Sequence, residues 1–419
     1  MVVVIEVAPA GDRALLVSLG EVTAHALHAA AAGVSQVPRV LACIVGHSSV
    51  YVICDGTADA VAVREALQSV EDRAVIAAQT HELPVAFDGE DLDAFLAHAG
   101  LARGAFLARV DGLRLTARYL GFRGGFAYLE GWPEEWAMPR RPTSRPVKRG
   151  AFAIAGAVAG FYPIDTPGGW NVLGRTGENV EHRFAAGDEI VLRVVDAVTM
   201  HESAPETRPT PFLNWIEAED WSRVARGISP GGPFDDLAAA LANKAVGNAG
   251  DAPLYEAAMI WPRLQHDEPR VLAWCGPDGH VHMERIDGRI MGGLRGYVAV
   301  GDGRGVVTSI DRGDRRVIRV EVGPHDIGLR EIECEVTPQL DRVGIRLRPS
   351  IKMPAVPADL QSIGMQCGTV QLHPDGTLVA MGPDHPVTGG YLQPMTVLRG
   401  ERWKLAQLMP GERITLRAD

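Results

Sequence analysis

Residues 139–176 read PRRPTSRPVKRGAFAIAGAVAGFYPIDTPGGWNVLGRT. Like the whole of residues 118–195, this stretch consists of short apolar runs between Gly and Pro turns, a spacing that predicts a β-barrel or sandwich. At its centre stands Asp165-Thr166-Pro167-Gly168-Gly169-Trp170. A Gly-Gly pair admits φ > 0 and lets the backbone come close to a ligand. Consecutive N–H groups in such a turn form a concavity suited to carboxylate or phosphate oxygens. Trp170 offers a flat apolar wall, and Arg140 and Arg141 offer fixed positive charge for a bidentate grip.

The stretch has an echo near the C-terminus, where Val387-Thr388-Gly389-Gly390-Tyr391 again sets an aromatic after Gly-Gly. About twenty residues beyond each copy a turn and a strand look alike: AAGDEIVLRVV at 185–195 and MPGERITLR at 409–417. Self-similarity of this kind predicts one architecture used twice.

Composition narrows the function classes. A chain of 419 residues has room for several domains, each with its own core. Hydrophobic residues at 46% and charged residues at 22% are globular values, and 47 Gly with 28 Pro lean toward a turn-rich β protein. A net charge of −11 argues against an electrostatic nucleic-acid footprint. No uncharged apolar run approaches the ~18 residues of a membrane span. The opening MVVVIEVAPAGDR lacks the basic region and long apolar core of a signal peptide. Cys43, Cys54, Cys275, Cys334 and Cys367 are scattered, odd in number and without C-x-x-C, which speaks against structural zinc or a disulfide framework. These features together predict a cytoplasmic protein.

In chain order, residues 1–80 read as a small α/β domain. It has a strand over 13–18, a helix over 22–32, two apolar runs in 41–53 broken by Gly46-His47-Ser48-Ser49, and an amphipathic helix over 59–70. Residues 81–200 read as the barrel, entered through a strand at 83–87 and a helix at 91–98 that stops near Gly100. Polar, Pro-bearing residues 201–212 read as a linker. Residues 213–419 form the second half. Its helix starts at Pro233 and Asp235, carries Leu237, Leu241 and Ala245 on one face, and ends at Gly247; mostly β structure follows.

Several chemistries are missing from the sequence. There is no G-x-x-x-x-G-K-[ST] phosphate loop, no G-x-S-x-G elbow, no H-E-x-x-H and no Met-Lys-Met biotin site. Gly301-Asp302-Gly303-Arg304-Gly305 is followed by no helix, so it is not a dinucleotide loop. His280 and His282 share a strand face that Glu284 extends. With no further ligand the reading is an exposed strand beside the Pro277-Asp278-Gly279 turn, and no metal is expected. The aromatic run from Tyr119 to Tyr128 reads as a pocket rim around Gly124-Gly125 or as barrel core.

Two sets of motifs resemble a known pair of enzyme components joined end to end. GDRALLV (11–17), LPV (83–85), LGFRGGFAYL (120–129), PRRPTSR (139–145), IAG (154–156) and YPIDTPGGWNVLGRT (162–176) resemble the B component of bacterial ATP-dependent 5-oxoprolinase, also called allophanate hydrolase subunit 1. GISPGGPFD (227–235), LANKAVGN (241–248), CGPD (275–278), YVAV (297–300), DRVGIRL (341–347), GTVQLHPDG (368–376), TGGY (388–391) and WKLAQLMPGERI (403–414) resemble the C component. The resemblance implies a mainly β protein with an α/β N-terminal part and two cyclophilin-like β-barrels in tandem. It also implies an enzyme. Such an enzyme opens the lactam of 5-oxoproline with ATP and a partner A component, or is a carboxyltransferase acting on urea or another amide. Relatives of the first half inhibit a sporulation histidine kinase, which makes a regulatory protein an alternative.

The sequence also departs from the family. The C half is shorter than the family's, and Asn214 to Trp221 replace its T-T-V-Q-D-L-G-R opening. GDGRGVVTSIDRGDRR at 301–316 stands where a G-S-x-S-T-D loop is expected, and Gly124 replaces a proline. These changes favour a further alternative: an enzyme of specialised metabolism (cyclase, lyase or amide-modifying) that uses neither ATP nor biotin. In every enzymatic reading the substrate is a small lactam or amide between the two halves. Substrate contacts are expected from Arg140, Tyr162, Thr166, Gly168, Gly169 and Trp170 in the first half. Those in the second are Asn243, Glu256, Gln371, Thr388, Gly389, Gly390 and Tyr391, with Asp235 and Asp278 as polar anchors. Asp165 and Asp384 are the candidate catalytic carboxylates, on the expectation that partial burial raises an Asp pKa into the range of a base. No cofactor motif is recognisable, so ATP is expected only through a partner resembling the 5-oxoprolinase A component.

Overall fold

Alternation of buried and less buried residues builds the barrels. In Arg114–Leu120, Leu115 and Ala117 point into the core while Arg114, Thr116 and Arg118 are more exposed, and a register shift after Ala117 turns Leu120 inward. The computed structural model describes residues 4–68, 78–122, 124–199, 213–260, 271–283, 290–301, 305–310, 312–357 and 360–418. Seven strands lie side by side in the first half: Thr80–Val85, Glu189–Val194, Arg114–Leu120, Ala127–Glu130, Val158–Phe161, Ala151–Ala155 and Asn171–Arg175. The first two are parallel and the others antiparallel, and a bridge between Ala86 and Arg175 brings the two edges together. Helices Leu92–Ala99 and Arg103–Val110 press Phe95 and Phe106 (centroids 5.4 Å apart) into a core with Trp132, Trp136 and Phe152. The first helix ends where Gly100 takes φ 66°, the left-handed cap that only glycine adopts without strain.

The second half repeats this plan. Val317–Val322, Arg413–Ala418, Glu331–Leu340, Gly344–Pro349, Leu378–Met381, Thr369–Leu372 and Leu392–Val397 close into a barrel. First and last strands in chain order again pair in parallel, with Val317 opposite Thr415. The strands of AAGDEIVLRVV and MPGERITLR thus occupy equivalent places. Each Gly-Gly turn lies in an equivalent two-stranded ribbon: Thr166–Gly168 pairs with Arg145–Val147, and Thr388–Gly389 pairs with Ile363–Gly364. The fold is mainly β with two seven-stranded barrels, and the internal echo in the sequence is a duplicated architecture.

Each barrel carries a sheet-and-helix layer. In the first half, Val4–Pro9, Ala14–Leu19, Ser49–Cys54 and Val40–Val45 form an antiparallel sheet covered by helices Ala24–Val34 and Ala60–Gln68. In the second, a five-stranded sheet packs against helix Asp236–Ala245. This helix buries Ala238, Ala239, Ala242, Asn243 and Ala245, whereas Leu237 is 44% exposed. Of the expected apolar face, Ala245 is buried and Leu241 packs against the core, but Leu237 is corrected: the buried face is mostly alanine, which lets the helix lie close to Tyr297 and Ala299. The linker expected at 201–212 lies outside the described residues. Among the described residues no helix is long and apolar enough to cross a membrane.

The first sheet also joins the halves. Its second face sets Leu16, Ile44, Tyr51 and Ile53 against Val224, Ile363 and Val387 of the second half. Burial of each such side chain stabilises by about 1.5–3 kcal/mol. Directional contacts fix the register of this junction: Gln366 Nε2 donates to Ala10 O (3.3 Å), Arg399 N–H to Asp12 Oδ2 (2.8 Å) and His47 N–H to Ser362 O (2.8 Å).

Candidate functional site

In the first half the PRRPTSR loop is pinned from below. Asp91 accepts the Val172 N–H (2.7 Å) and pairs with Arg145 and, at 3.4 Å, Arg141. Arg141 N–H donates to Gly169 O (2.7 Å), which seats the Gly-Gly turn beside the loop. A Cβ at Gly168 would stand 2.1 Å from the Tyr162 hydroxyl, so only glycine fits there. The Trp170 backbone N–H beside that hydroxyl lowers its pKa, and burial, the larger effect, pushes it up. Arg140 Nη2 lies 3.5 Å from where a Gly169 Cβ would be. Trp170 packs edge-on to Phe126 (5.3 Å) and Tyr128 (5.7 Å), and Tyr128 stacks on Tyr119 (4.3 Å). The aromatic run is therefore a wall beside the Gly-Gly turn. Thr166 is buried in the ribbon, opposite Val147.

In the second half Thr388, Gly389, Gly390 and Tyr391 present the other ribbon. A Cβ at Gly389 would lie 2.6 Å from Gln371 Nε2, so Gln371 lies directly against the turn. Gln371 is 3% and Thr388 2% exposed, yet Gln371 Nε2 and Thr388 Oγ1 have no hydrogen-bond partner. Buried donors of this kind cost stability unless a ligand or water uses them. His373 stacks on Tyr391 (4.3 Å), and its buried Nε2 is likewise unpartnered. Burial, then the charge of Arg346, lowers the His373 pKa to about 4, so the ring is neutral at physiological pH.

The second ribbon meets the first barrel along one seam. Thr388 Oγ1 would be 1.7 Å from a Cβ on Gly121, which places the second-half turn directly on the first-half LGFRGGF segment. The Tyr119 and Tyr128 hydroxyls both face the Ser362 side chain. Ser362 Oγ in turn lies 3.5 Å from the position of a Gly390 Cβ. Burial pushes the Tyr119 phenol up to about 12 and raises the Tyr128 phenol well above its ordinary value, so both stay protonated. Ser362, His373 and Asp91 escaped the sequence reading. Only His373 left a signal, standing two residues from Gln371 and so on the same side of an extended segment.

Other expected residues lie elsewhere or act otherwise. Glu256 is 1% exposed, and its carboxylate accepts from Arg295 (3.2 Å), Arg342 (2.8 Å), the Tyr297 hydroxyl (2.8 Å) and Phe234 N–H (3.3 Å). Burial pulls its pKa up, but the two guanidinium groups and the phenol win and hold it low. Asn243 donates to Ala252 O (2.7 Å) and accepts from Asn248 (3.2 Å). Both side chains are saturated by the protein, which corrects their assignment as substrate contacts: they brace the second half. Asp235 caps its helix through Ala238 N–H (3.0 Å) and pairs with Arg312. Asp278 accepts the His280 N–H (3.1 Å), and His282 stacks on Trp274 (4.2 Å); Glu284 lies outside the described residues.

The carboxylates need correction too. Asp165 is exposed, and Lys148 (2.7 Å) with the Arg149 N–H (2.9 Å) holds its pKa below the ordinary value. The expectation of an Asp165 pKa raised by burial is overturned, because solvent and a cation stabilise the anion. Asp384 is exposed and gripped by the Arg342 fork at 2.8 and 3.0 Å, so it too lacks the burial that the expectation required.

Against known proteins, a model of the carboxyltransferase domain, subdomains C and D, matches residues 5–182. A second, for subdomains A and B, matches 226–291 and 311–418. The chain belongs to the carboxyltransferase-domain family. Its first half is 36% identical over 121 residues to the B component of 5-oxoprolinase from Escherichia coli O157:H7, a match covering 28% of this chain and 55% of that protein. A putative urea carboxylase of Emericella nidulans is 22% identical over 286 residues, 48% of this chain and 23% of that protein. The chain thus spans only part of the length of these relatives. In fold, the solved structure of TTHA0988 matches with a TM-score of 0.80 at 24% identity, over 97% of this chain and 99% of that one. The second barrel of this carboxyltransferase-family chain, and all of the first but its strand Glu189–Val194, therefore fall within matched domains, and the Gly-Gly seam lies between them.

Proposed function

We propose that the chain is a fused B/C-type component of an ATP-dependent 5-oxoprolinase, or of an amide-type carboxyltransferase, and that it binds a small lactam or amide at the seam. The observation that carries this reading is the pair of buried, unpartnered groups Gln371 Nε2 and Thr388 Oγ1 beside the Gly-Gly turn. A lactam carbonyl accepts from both, and its N–H finds an acceptor in the Thr388 hydroxyl. Tyr128 and Trp170 suit its flat face, and exposed Arg140 suits a substrate carboxylate. The bacterial relative is by name one component of several, which supports a separate A-type partner as the source of ATP chemistry. The test is 5-oxoproline-dependent ATP hydrolysis by the purified chain, alone and mixed with a homologue of the 5-oxoprolinase A component. Activity in the mixture alone is expected; silence in both, with the chain folded, refutes the 5-oxoprolinase reading.

A second reading has its own observation. The family match is interrupted between residues 291 and 311, where the expected loop is rewritten. A recruited enzyme that modifies an amide without ATP or biotin fits that interruption. Turnover of an amide by the chain alone, without nucleotide, selects it.

A further inference from the structure

Away from the seam, where the first sheet meets the second barrel, two arginines are buried without adequate partners. Arg13, just ahead of strand Ala14–Leu19, is 2% exposed, and its Nε, Nη1 and Nη2 all lack hydrogen bonds. Its guanidinium sits 4.8 Å over the Trp221 ring, which covers a face and leaves the N–H edge unused. Arg402, on the second barrel's short helix, is 6% exposed; Nη2 donates to Gln366 Oε1 (3.1 Å) and Nε is unpartnered. Its ion-pair contact is Glu219, at 3.8 Å. Burial first, then the nearby Arg402 charge, lowers the Arg13 pKa to about 10, still charged at neutral pH. Glu219 and, more weakly, Asp12 act the other way. Among the described residues Arg402 thus has one long ion pair and Arg13 none, and four guanidinium nitrogens have no hydrogen-bond acceptor. Proteins do not leave such groups unmatched without a use for them.

We propose that Arg13 and Arg402 form a buried binding site for a small planar oxyanion, a carboxylate or bicarbonate. A planar anion meets the guanidinium fork edge to edge, supplies the missing acceptors and offsets the excess charge. Because the two arginines come from different halves, the bound anion ties the first sheet to the second barrel. The site is separate from the seam and does not rest on the reading given above.

The test uses the full chain in a low-salt zwitterionic buffer. Sodium acetate, sodium bicarbonate or sodium phosphate is compared with sodium chloride at equal ionic strength, and Tm is followed. Acetate or bicarbonate is expected to raise Tm by about 2–4 °C over chloride in the wild type and by less than about 1 °C in Arg13→Met. In chloride, Arg13→Met is expected to melt at or above the wild type, because the substitution removes an unmatched buried charge. Arg402→Met should lose the anion response as well. If a methionine variant does not fold, Arg13→Lys, which keeps the charge and loses the fork, carries the same comparison. No anion response in the wild type, or the same response in wild type and variant, overturns the site. A response to phosphate alone overturns the planar class.

Discussion

The contact between Gly121 and Thr388 makes the seam testable at a single atom. A methyl group added at 121 would stand 1.7 Å from Thr388 Oγ1 and 2.8 Å from its Cβ. Rotating χ1 of Thr388 moves the hydroxyl, but the Cβ is fixed by the backbone. At 2.8 Å it is about 0.6 Å short of the 3.4 Å where ordinary contact begins. In Gly121→Ala the second ribbon must therefore retreat from the first barrel by about that distance, and Gly389 moves with it. Overpacking of this kind costs about 1–3 kcal/mol, equivalent to a Tm loss of roughly 2–6 °C. Misplacement by about 1 Å costs up to ~100-fold in rate, so a loss of about 10–30-fold is expected in 5-oxoproline-dependent ATP hydrolysis with the A-type partner. Thr388→Gly supplies the control, since it deletes the clashing Cβ. In that background Gly121→Ala should cost less than about 0.5 kcal/mol in thermal denaturation. If Gly121→Ala costs nothing, or costs the same in both backgrounds, the second ribbon does not meet the first barrel as described.

Three further substitutions separate ligand contacts from bracing. Gln371→Met keeps the side chain's length and removes an unpartnered buried amide, so Tm should hold or rise while kcat/KM falls about 10–100-fold; an undiminished kcat/KM would remove Gln371 from the site. Asp165→Asn should leave the pH–rate profile between about pH 5 and 8 unchanged, because a carboxylate held below its ordinary value of 3.8 does not titrate there; loss of an acidic limb would restore it as a base. Glu256→Gln leaves Arg295 and Arg342 without their shared anion and should cost about 3–5 kcal/mol in urea denaturation. Since the folded-state pKa of Glu256 is lowered, its contribution is full above the ordinary value of 4.5 and is lost as pH falls through the folded value. The variant should accordingly show a shallower acid loss of stability than the wild type, and an identical acid limb would contradict the pairing.

Much of the fold was legible because it rests on local signals. Turn glycines, alternating strands and the Asp235 cap act over a few residues, and a repeated architecture leaves a repeated pattern. AAGDEIVLRVV and MPGERITLR look alike because both strands pair in parallel with the first strand of a barrel. The helix Asp236–Ala245 misled for a physical reason. Apolar spacing marks a face but not how closely that face must approach a sheet, and here close approach selected alanine over leucine.

The site was legible only as two clusters of residue types, because what makes a polar residue available is the count of its partners in space. Glu256 and Gln371 are both buried polar residues in motif-bearing segments. Glu256 is fully bonded by two arginines, a tyrosine and a backbone N–H, whereas Gln371 retains an unused donor against Gly389. No spacing rule distinguishes them, since Arg342 is far along the chain from Glu256 and the barrel brings it back. Arg13 makes the same point from the other side. In GDRALLV it reads as the start of a strand, and only the packing of Trp221 and Arg402 around it exposes a charge that the chain itself does not answer.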